Sequence, residues 1–349
     1  MTMKYSQWMD GTGPDADIVL SCRVRLARNL LATPFPHRMD DGQAQTMLAR
    51  VEEAVHHLET GWHLTFSRLS NLTPITRQVL VEKHLVSPLL AQDPIRYEAV
   101  AIDDRESISI MINEEDHLRI QVVLPGLQLN ECWKVANQLD DAMEQYLDFA
   151  FDPKSGYITA CPTNIGTAMR ASVMIHLPAL VLTHQASQVF TTLAQLGMVV
   201  RGLYGEGSEA LGNIFQISNQ VSLGLSEEEF IHNLTVVTQQ IVGRERHARQ
   251  HLLQNAGTAL ADRVGRAWGL LTHARIMSSE EALRLLSEVK LGADLGLIEA
   301  PNAATYAQLI VATRPGFLQV EAGRELNPVE RDQLRADYLR RLLGEQNRV

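Results

Sequence analysis

With 349 residues, 45% of them hydrophobic and 21% charged, the chain has enough apolar material for a full core and the polarity of a globular protein. A net charge of −10 argues against non-specific attraction to nucleic acid. No stretch approaches the ~18 uninterrupted apolar residues of a membrane span, and the start lacks a secretory layout, so the expected location is cytoplasmic.

In chain order, alternating apolar residues predict a first strand at 18–22, ending in Ser21-Cys22-Arg23-Val24-Arg25. Residues two apart on a strand share a face, so Arg23 and Arg25 can offer two guanidinium groups to one polyanion, with Arg28 close behind. A helix at 40–58 follows, then strands at 98–102, 107–112 and 118–123. Between the last two lies Asn113-Glu114-Glu115-Asp116-His117-Leu118-Arg119. Three adjacent acids repel one another and add nothing to a hairpin turn, so a cation is expected nearby; the plain alternative is a solvated loop. A helix is predicted at 129–149, then a strand-like 157–160. Next comes the turn-rich run Cys161 to Arg170, whose cysteine reads as either a buried thiol or a cation-stabilised thiolate. Cys22, Cys132 and Cys161 have neither disulfide-type nor zinc-type spacing, and no metal site is expected.

Strands at 198–203 and 214–221 flank a loop with four glycines and two acids, Arg201 to Gly212, suited to close approach to phosphate or substrate. Ser226 with Glu229 opens a helix running toward about residue 254. Beyond it the pattern is helical only, with starts at Ser278–Glu281 and at Asn327-Pro328 with Glu330. The expected organisation is therefore a catalytic domain at 1–252 and a helical domain at 253–349. Arginines 23, 25, 119, 170 and 201, with carboxylates set apart, make a plausible phosphoryl-transfer constellation.

The strings Ser21 to Arg25, Asn113 to Arg119, Cys161 to Asn164 with Arg170, and Arg201 to Glu209 resemble the ATP:guanidino phosphotransferases, the family of arginine and creatine kinases, over roughly residues 15–250. Within that family the chain is similar to the bacterial protein-arginine kinases. It starts almost directly at the catalytic domain and ends with Arg331-Asp332-Gln333-Leu334-Arg335-Ala336, like the phosphoarginine motif of that branch.

The resemblance implies an α+β catalytic domain built on a mainly antiparallel sheet flanked by helices, with ATP and Mg²⁺ as cosubstrate. It gives nucleotide contacts to Ser21, Cys22, Arg23, Val24 and Arg25, to His84 and Arg119, and to Arg170, Ala171, Ser172, Val173 and Met174. The stretch Arg201, Gly202, Leu203, Tyr204, Gly205 and Glu206 would join them. Glu115 would deprotonate the guanidinium, Glu206 or Glu209 would add a second carboxylate, and Cys161 would lie beside the substrate. Cys22, Tyr204 and Gln216 depart from the family's serine or threonine, arginine and aspartate. Arg331, Asp332, Arg335 and Ala336 would bind phosphoarginine, with Arg331 and Arg335 on one helix face gripping one phosphate. The implied partners are proteins with exposed arginines, among them a stress-gene repressor, together with a zinc-binding activator, a Clp protease and a second copy of the chain. The alternatives are a small-molecule guanidino kinase, which would carry an N-terminal helical domain, and an inactive phosphoarginine-binding adaptor, which would lack the charged positions.

Overall fold

Period-two alternation becomes, in the computed structural model, a large antiparallel sheet. The structure describes residues 4–58, 61–92, 97–202, 211–299 and 303–344. Its strands are β1 (Val19–Arg28), β2 (Leu64–Arg68), β3 (Ala99–Asp103), β4 (Ile108–Ile112), β5 (Leu118–Pro125), β6 (Phe151–Asp152), β7 (Gly156–Tyr157), β8 (Met169–His176), β9 (Met198–Gly202) and β10 (Ile214–Asn219). Among the described residues eight of them form one sheet in the order β2-β3-β4-β5-β1-β8-β10-β9, and β6 pairs with β7 apart from it. The helices are α1 (Asp41–His56), α2 (Pro74–Glu82), α3 (Pro88–Gln92), α4 (Leu129–Glu144), α5 (Pro178–Leu182), α6 (Ala186–Gln195), α7 (Glu227–His273), α8 (Ser279–Asp294), α9 (Ala303–Ala312), α10 (Pro315–Ala322) and α11 (Pro328–Gly344). None is long and apolar enough to cross a membrane.

The first strand is longer than the predicted 18–22, so Arg23 and Arg25 sit at the centre of the sheet and not at a strand end. Cys22, Val24 and Leu26 keep the apolar stripe going, while the intervening arginines mask it in the sequence. Pairing with β5 and β8 on both sides sets Arg25 opposite Gln121 and Arg170. One face of the sheet meets α1, α4 and the first half of α7 through Val24, Ile110, Ile120, Val122, Val173 and Ile217. Each such fully buried side chain contributes roughly 1.5–3 kcal/mol relative to exposure. The opposite face is covered towards both ends: Leu20, Val123, Met174 and Ile214 pack with Trp8, Met9 and the helices from α8 onward, and Val100 and Met111 pack with Leu69, Val86 and Leu90 around α2 and α3. The rest of that face carries the arginines.

Capping explains the helix starts. Asp40 and Gln43, and Ser226 and Glu229, form reciprocal capping boxes, and Ser278 accepts from Glu281 N. Two ends differ from expectation. α4 stops at Glu144, because Leu147 turns inward and Phe149 bridges to Leu30. α7 runs on to His273 with a single departure from helical geometry at Ala256 (φ −137°, ψ 26°), so the expected boundary near 252 falls at a kink inside one helix. Arg28 points away from its neighbours' face: 1% exposed, it grips Asp140 of α4 at 2.6 Å and lies 3.4 Å from the centre of the Tyr157 ring.

Candidate active site

Odd-numbered positions on β1 and their counterparts across the sheet build a row of cations. Arg23 and Arg25 come from β1, Arg119 from β5, Arg170 from β8 and Arg201 from β9. Neutral side chains separate some of them: Arg23 donates to Ser172 Oγ (3.3 Å) and Gln216 Oε1 (3.1 Å), and Arg170 to Ser218 Oγ (3.1 Å). Arg119 is paired, with Glu114 and, at 3.3 Å, with Glu115. Arg25 has no hydrogen-bond partner among the described residues, and its Nε is buried. Burial first, then the neighbouring Arg23, Arg119 and Arg170, pull its pKa well below the usual value; Glu114 opposes this. Burial, Arg170 and Arg119 bring Arg23 down to about 10. A guanidinium stays charged at pH 7, and Arg25, with no ion pair among the described residues, leaves positive charge on this face that an anion can neutralise.

Beside the row opens a cleft of about 160 Å³. Arg23, Arg25, Arg201, Gln121 and Gln216 form its polar wall, and Val81, Val86, Pro88 and Met111 its apolar one. Such a lining fits a ligand with a flat apolar part and a polyanion. His84 also lines it, in a turn after α2 with φ 61° and not on a surface helix as its sequence context alone suggests. Burial, with Arg23 and Arg314, holds its imidazole neutral, with a pKa of about 3. Ser21, Ser172 and Met174 line an adjoining recess.

The acidic stretch is no solvated turn. Asn113 N donates to His117 O (3.0 Å), closing a tight loop between β4 and β5. The Glu114 side chain, 5% exposed, accepts from Ser87 Oγ (2.5 Å) and faces Arg119. Asp116, 1% exposed, accepts from Asn29 Nδ2 (2.7 Å) and Ala160 N (2.8 Å). His117 accepts from Leu30 N and donates from Nε2 to Pro34 O, a neutral ring whose pKa burial lowers against the opposing pull of Pro34 and Asp116. With its neighbours fixed, Glu115 alone projects outward, its side chain 41% exposed. Burial raises its pKa, Arg119 counteracts, and Asp116 and Glu114 raise it further. A more basic carboxylate is a better proton acceptor. The Asp116–Ala160 bond also brings the segment bearing Cys161 alongside; its Sγ lies 3.0 Å from Thr163 Oγ1.

Not every predicted contact faces the cleft. Cys22, Val24, Ala171 and Val173 point into the core on the other side of the sheet, and Cys22 meets Cys132 thiol to thiol at 3.4 Å. Because β1 is paired on both sides, its backbone groups belong to the ladder, so side chains at 21, 23 and 25 are what this strand can offer. Leu203, Tyr204, Gly205, Glu206 and Glu209 lie outside the described residues. Asn29 and Ser87 were not expected to matter. Asn29 clamps His117 N, Asp116 and Ile158 O together, and no local pattern announces it. Ser87 caps Leu90 N, a readable signal, but its bond to Glu114 is long-range.

The C-terminal motif departs from expectation. Arg335 is an interior brace, 1% exposed, donating to Thr313 O (2.7 Å), Met277 O (2.8 Å) and Asp332 Oδ1 (2.5 Å), and Ala336 is buried. Arg331 bonds Asn327 O through its backbone N–H (3.0 Å) and is half-buried, so the two arginines of the motif are not equivalent. Removing Arg335 would strand Asp332 and two carbonyls. Arg335→Ala is expected to cost roughly 3–5 kcal/mol of stability in denaturant titration, whereas Arg331→Ala leaves the transition in place. Equal midpoints for the two variants would contradict the bracing role.

Comparison with known proteins shows what the chain is similar to. The family model described as ATP:guanido phosphotransferase, C-terminal catalytic domain, matches residues 46–248, and that of the protein-arginine kinase McsB C-terminal domain matches residues 257–348. A protein-arginine kinase of Symbiobacterium thermophilum is 55% identical over 342 residues, 97% of each chain, and one of Moorella thermoacetica is 52% identical over 344, 98% of each. Among solved structures, a lombricine kinase superposes with a TM-score of 0.61 at 23% identity over 68% of each chain. A duplicated taurocyamine kinase from Schistosoma mansoni, with bound transition state analog components, gives 0.62 at 23% identity over 78% of this chain and 40% of that one. At that identity the structures show a shared fold.

Proposed function

The chain belongs to the ATP:guanido phosphotransferases, and on that premise we propose that it transfers the γ-phosphoryl of ATP to the guanidinium of arginine residues in proteins. The observation that carries the reading is Arg25, a charged group set among other arginines with no partner of its own. A triphosphate supplies the missing negative charge. Arg23, Arg25, Arg119, Arg170 and Arg201 hold the phosphates, and the apolar wall with His84 receives the rest of the nucleotide.

A guanidinium, with a pKa of about 12.5–13.8, is no nucleophile at pH 7 until a proton leaves. Glu115 takes that proton from the arginine nitrogen facing the γ-phosphorus, and the freed lone pair attacks as the bond to ADP oxygen breaks. The arginine row is fixed before charge migrates, so it stabilises the transferring group without reorganisation. Glu206 or Glu209 would add a second contact to the guanidinium, and Cys161 would flank it. Mg²⁺ bound to the phosphates would supply further neutralisation of developing charge; Glu114, a hard oxygen donor on the arginine face, is the carboxylate that would face it, which leaves Glu115 free to act as the base.

The similarity of residues 257–348 to the protein-arginine kinase C-terminal domain supports a phosphoarginine site around Arg331 and Asp332. The same reading makes the substrates proteins with exposed arginines, including a stress-gene repressor, and adds a zinc-binding activator, delivery to a Clp protease, a homodimer and a cytoplasmic setting. One assay tests the central claim. The chain is incubated with ATP, a protein substrate and free arginine, and acid-labile phosphoarginine is sought by mass spectrometry. Label on the protein is expected; label on free arginine alone would make it a small-molecule kinase, and no label a binding protein.

A further inference from the structure

We propose that Glu82 is a positioning residue for the nucleotide: by capping α10 it makes the C-terminal helices hold the His84 turn against the arginine face. The proposal rests on His84 as a nucleotide contact. After α2 the chain turns sharply, with His84 at φ 61°, a conformation that a residue with a side chain keeps only where its surroundings fix it. Bonds converge on the three residues of this turn. Lys83 Nζ reaches both oxygens of Glu106 (2.7 and 2.8 Å), and Lys83 O accepts from Trp8 Nε1 (3.1 Å). His84 O accepts from Gln121 Nε2 (2.8 Å), and its ring lies 5.6 Å from that of Trp8.

Glu82 is the link that reaches beyond the sheet. Its carboxylate, 5% exposed, accepts from Gly316 N (2.8 Å) and Phe317 N (3.1 Å), the first-turn amides of α10, 234 and 235 residues away. No catalytic step needs this group, and burying a carboxylate is costly unless such donors hold it. Burial lifts its pKa to about 7 even though both amides and Arg314 lower it. The fit is close. A Cβ on Gly316 would stand 2.8 Å from Glu82 Oε2 and 3.1 Å from Gln78 Cγ, so alanine at 316 pushes on the carboxylate from the other side.

The test uses the full chain, with ATP affinity from calorimetry and kcat and KM from turnover. Glu82→Gln and Gly316→Ala should each weaken ATP binding about tenfold, with kcat and the KM for the protein substrate changed far less. The double variant should be no weaker than either single one, since both act on one contact. Wild-type ATP affinity in both single variants, or losses that add in the double variant, overturns the proposal. If Glu82→Gln does not fold, Gly316→Ala decides by the same measurement. His84→Ala separates the two layers. If it binds ATP like the wild type, the nucleotide role of His84 fails and the positioning role falls with it. If it alone weakens binding, only the role of Glu82 is lost.

Discussion

Glu115→Gln is expected to slow phosphoryl transfer by ~10²- to 10⁴-fold while nucleotide binding stays nearly intact, the range that loss of a positioned general base produces. The amide keeps the shape and can still hydrogen-bond, but it cannot take the guanidinium proton. Binding survives because the phosphates meet the arginine row, to which Glu115 adds only a 3.3 Å contact with Arg119. The pH dependence follows from the direction of the shift. Burial raises the Glu115 pKa above the ordinary carboxylate value, so the base is lost as pH falls, and lost earlier than for a free glutamate at about 4.3. The acidic limb of the wild-type kcat/KM profile should therefore lie above that value. Wild-type turnover in the variant would remove Glu115 from the mechanism.

Arg25→Met should reduce transfer ~10²- to 10³-fold, the loss typical of one preorganised donor to the transition state. The sign of its effect on stability is the sharper test. In the nucleotide-free chain Arg25 has only like-charged neighbours and Glu114 to interact with, and its removal relieves repulsion. Melting of the ligand-free variant should thus occur at or above the wild-type temperature, while the upward shift caused by ATP should shrink. A residue conserving structure would behave the other way, melting lower with the ATP shift retained. That result would reassign Arg25.

The alternation in β1 put Arg23 and Arg25 on one face, and the strands flanking 113–117 put the acids at a junction, because these inferences need only the geometry of a single strand pair. Local spacing also located the caps at Ser226 and Ser278, the first a reciprocal box with Glu229 and the second a one-sided cap that accepts from Glu281 N. What it left open depends on depth. Arg331 and Arg335 are four residues apart on a helix, which says that they lie on one side but not that Arg335 turns inward to Thr313 and Met277. Asp116 and Glu114 looked alike in the sequence, yet one is a strut to Ala160 and the other a partner of Arg119 and Ser87. Asn29 is 87 residues from Asp116, and no short-range rule foresees such a clamp. His84 was placed by family likeness alone; its left-handed turn comes from Trp8, Gln121 and the residues bonded to its neighbours.

The cover that the C-terminal helices give the sheet has a practical consequence. Leu20, Val123, Met174 and Ile214 belong to the same apolar cluster as Trp8, Leu283, Leu286, Tyr306 and Leu339. A protein engineer who cut the chain between its two matched regions would therefore not isolate a catalytic module. The cut would bare a greasy face at one end of the arginine row, an invitation to aggregate, and would sever α7 near its kink. The long helix and that shared cluster tie the two regions together, so exchanging one for a homologous copy is expected to require matching changes on the surface of the other.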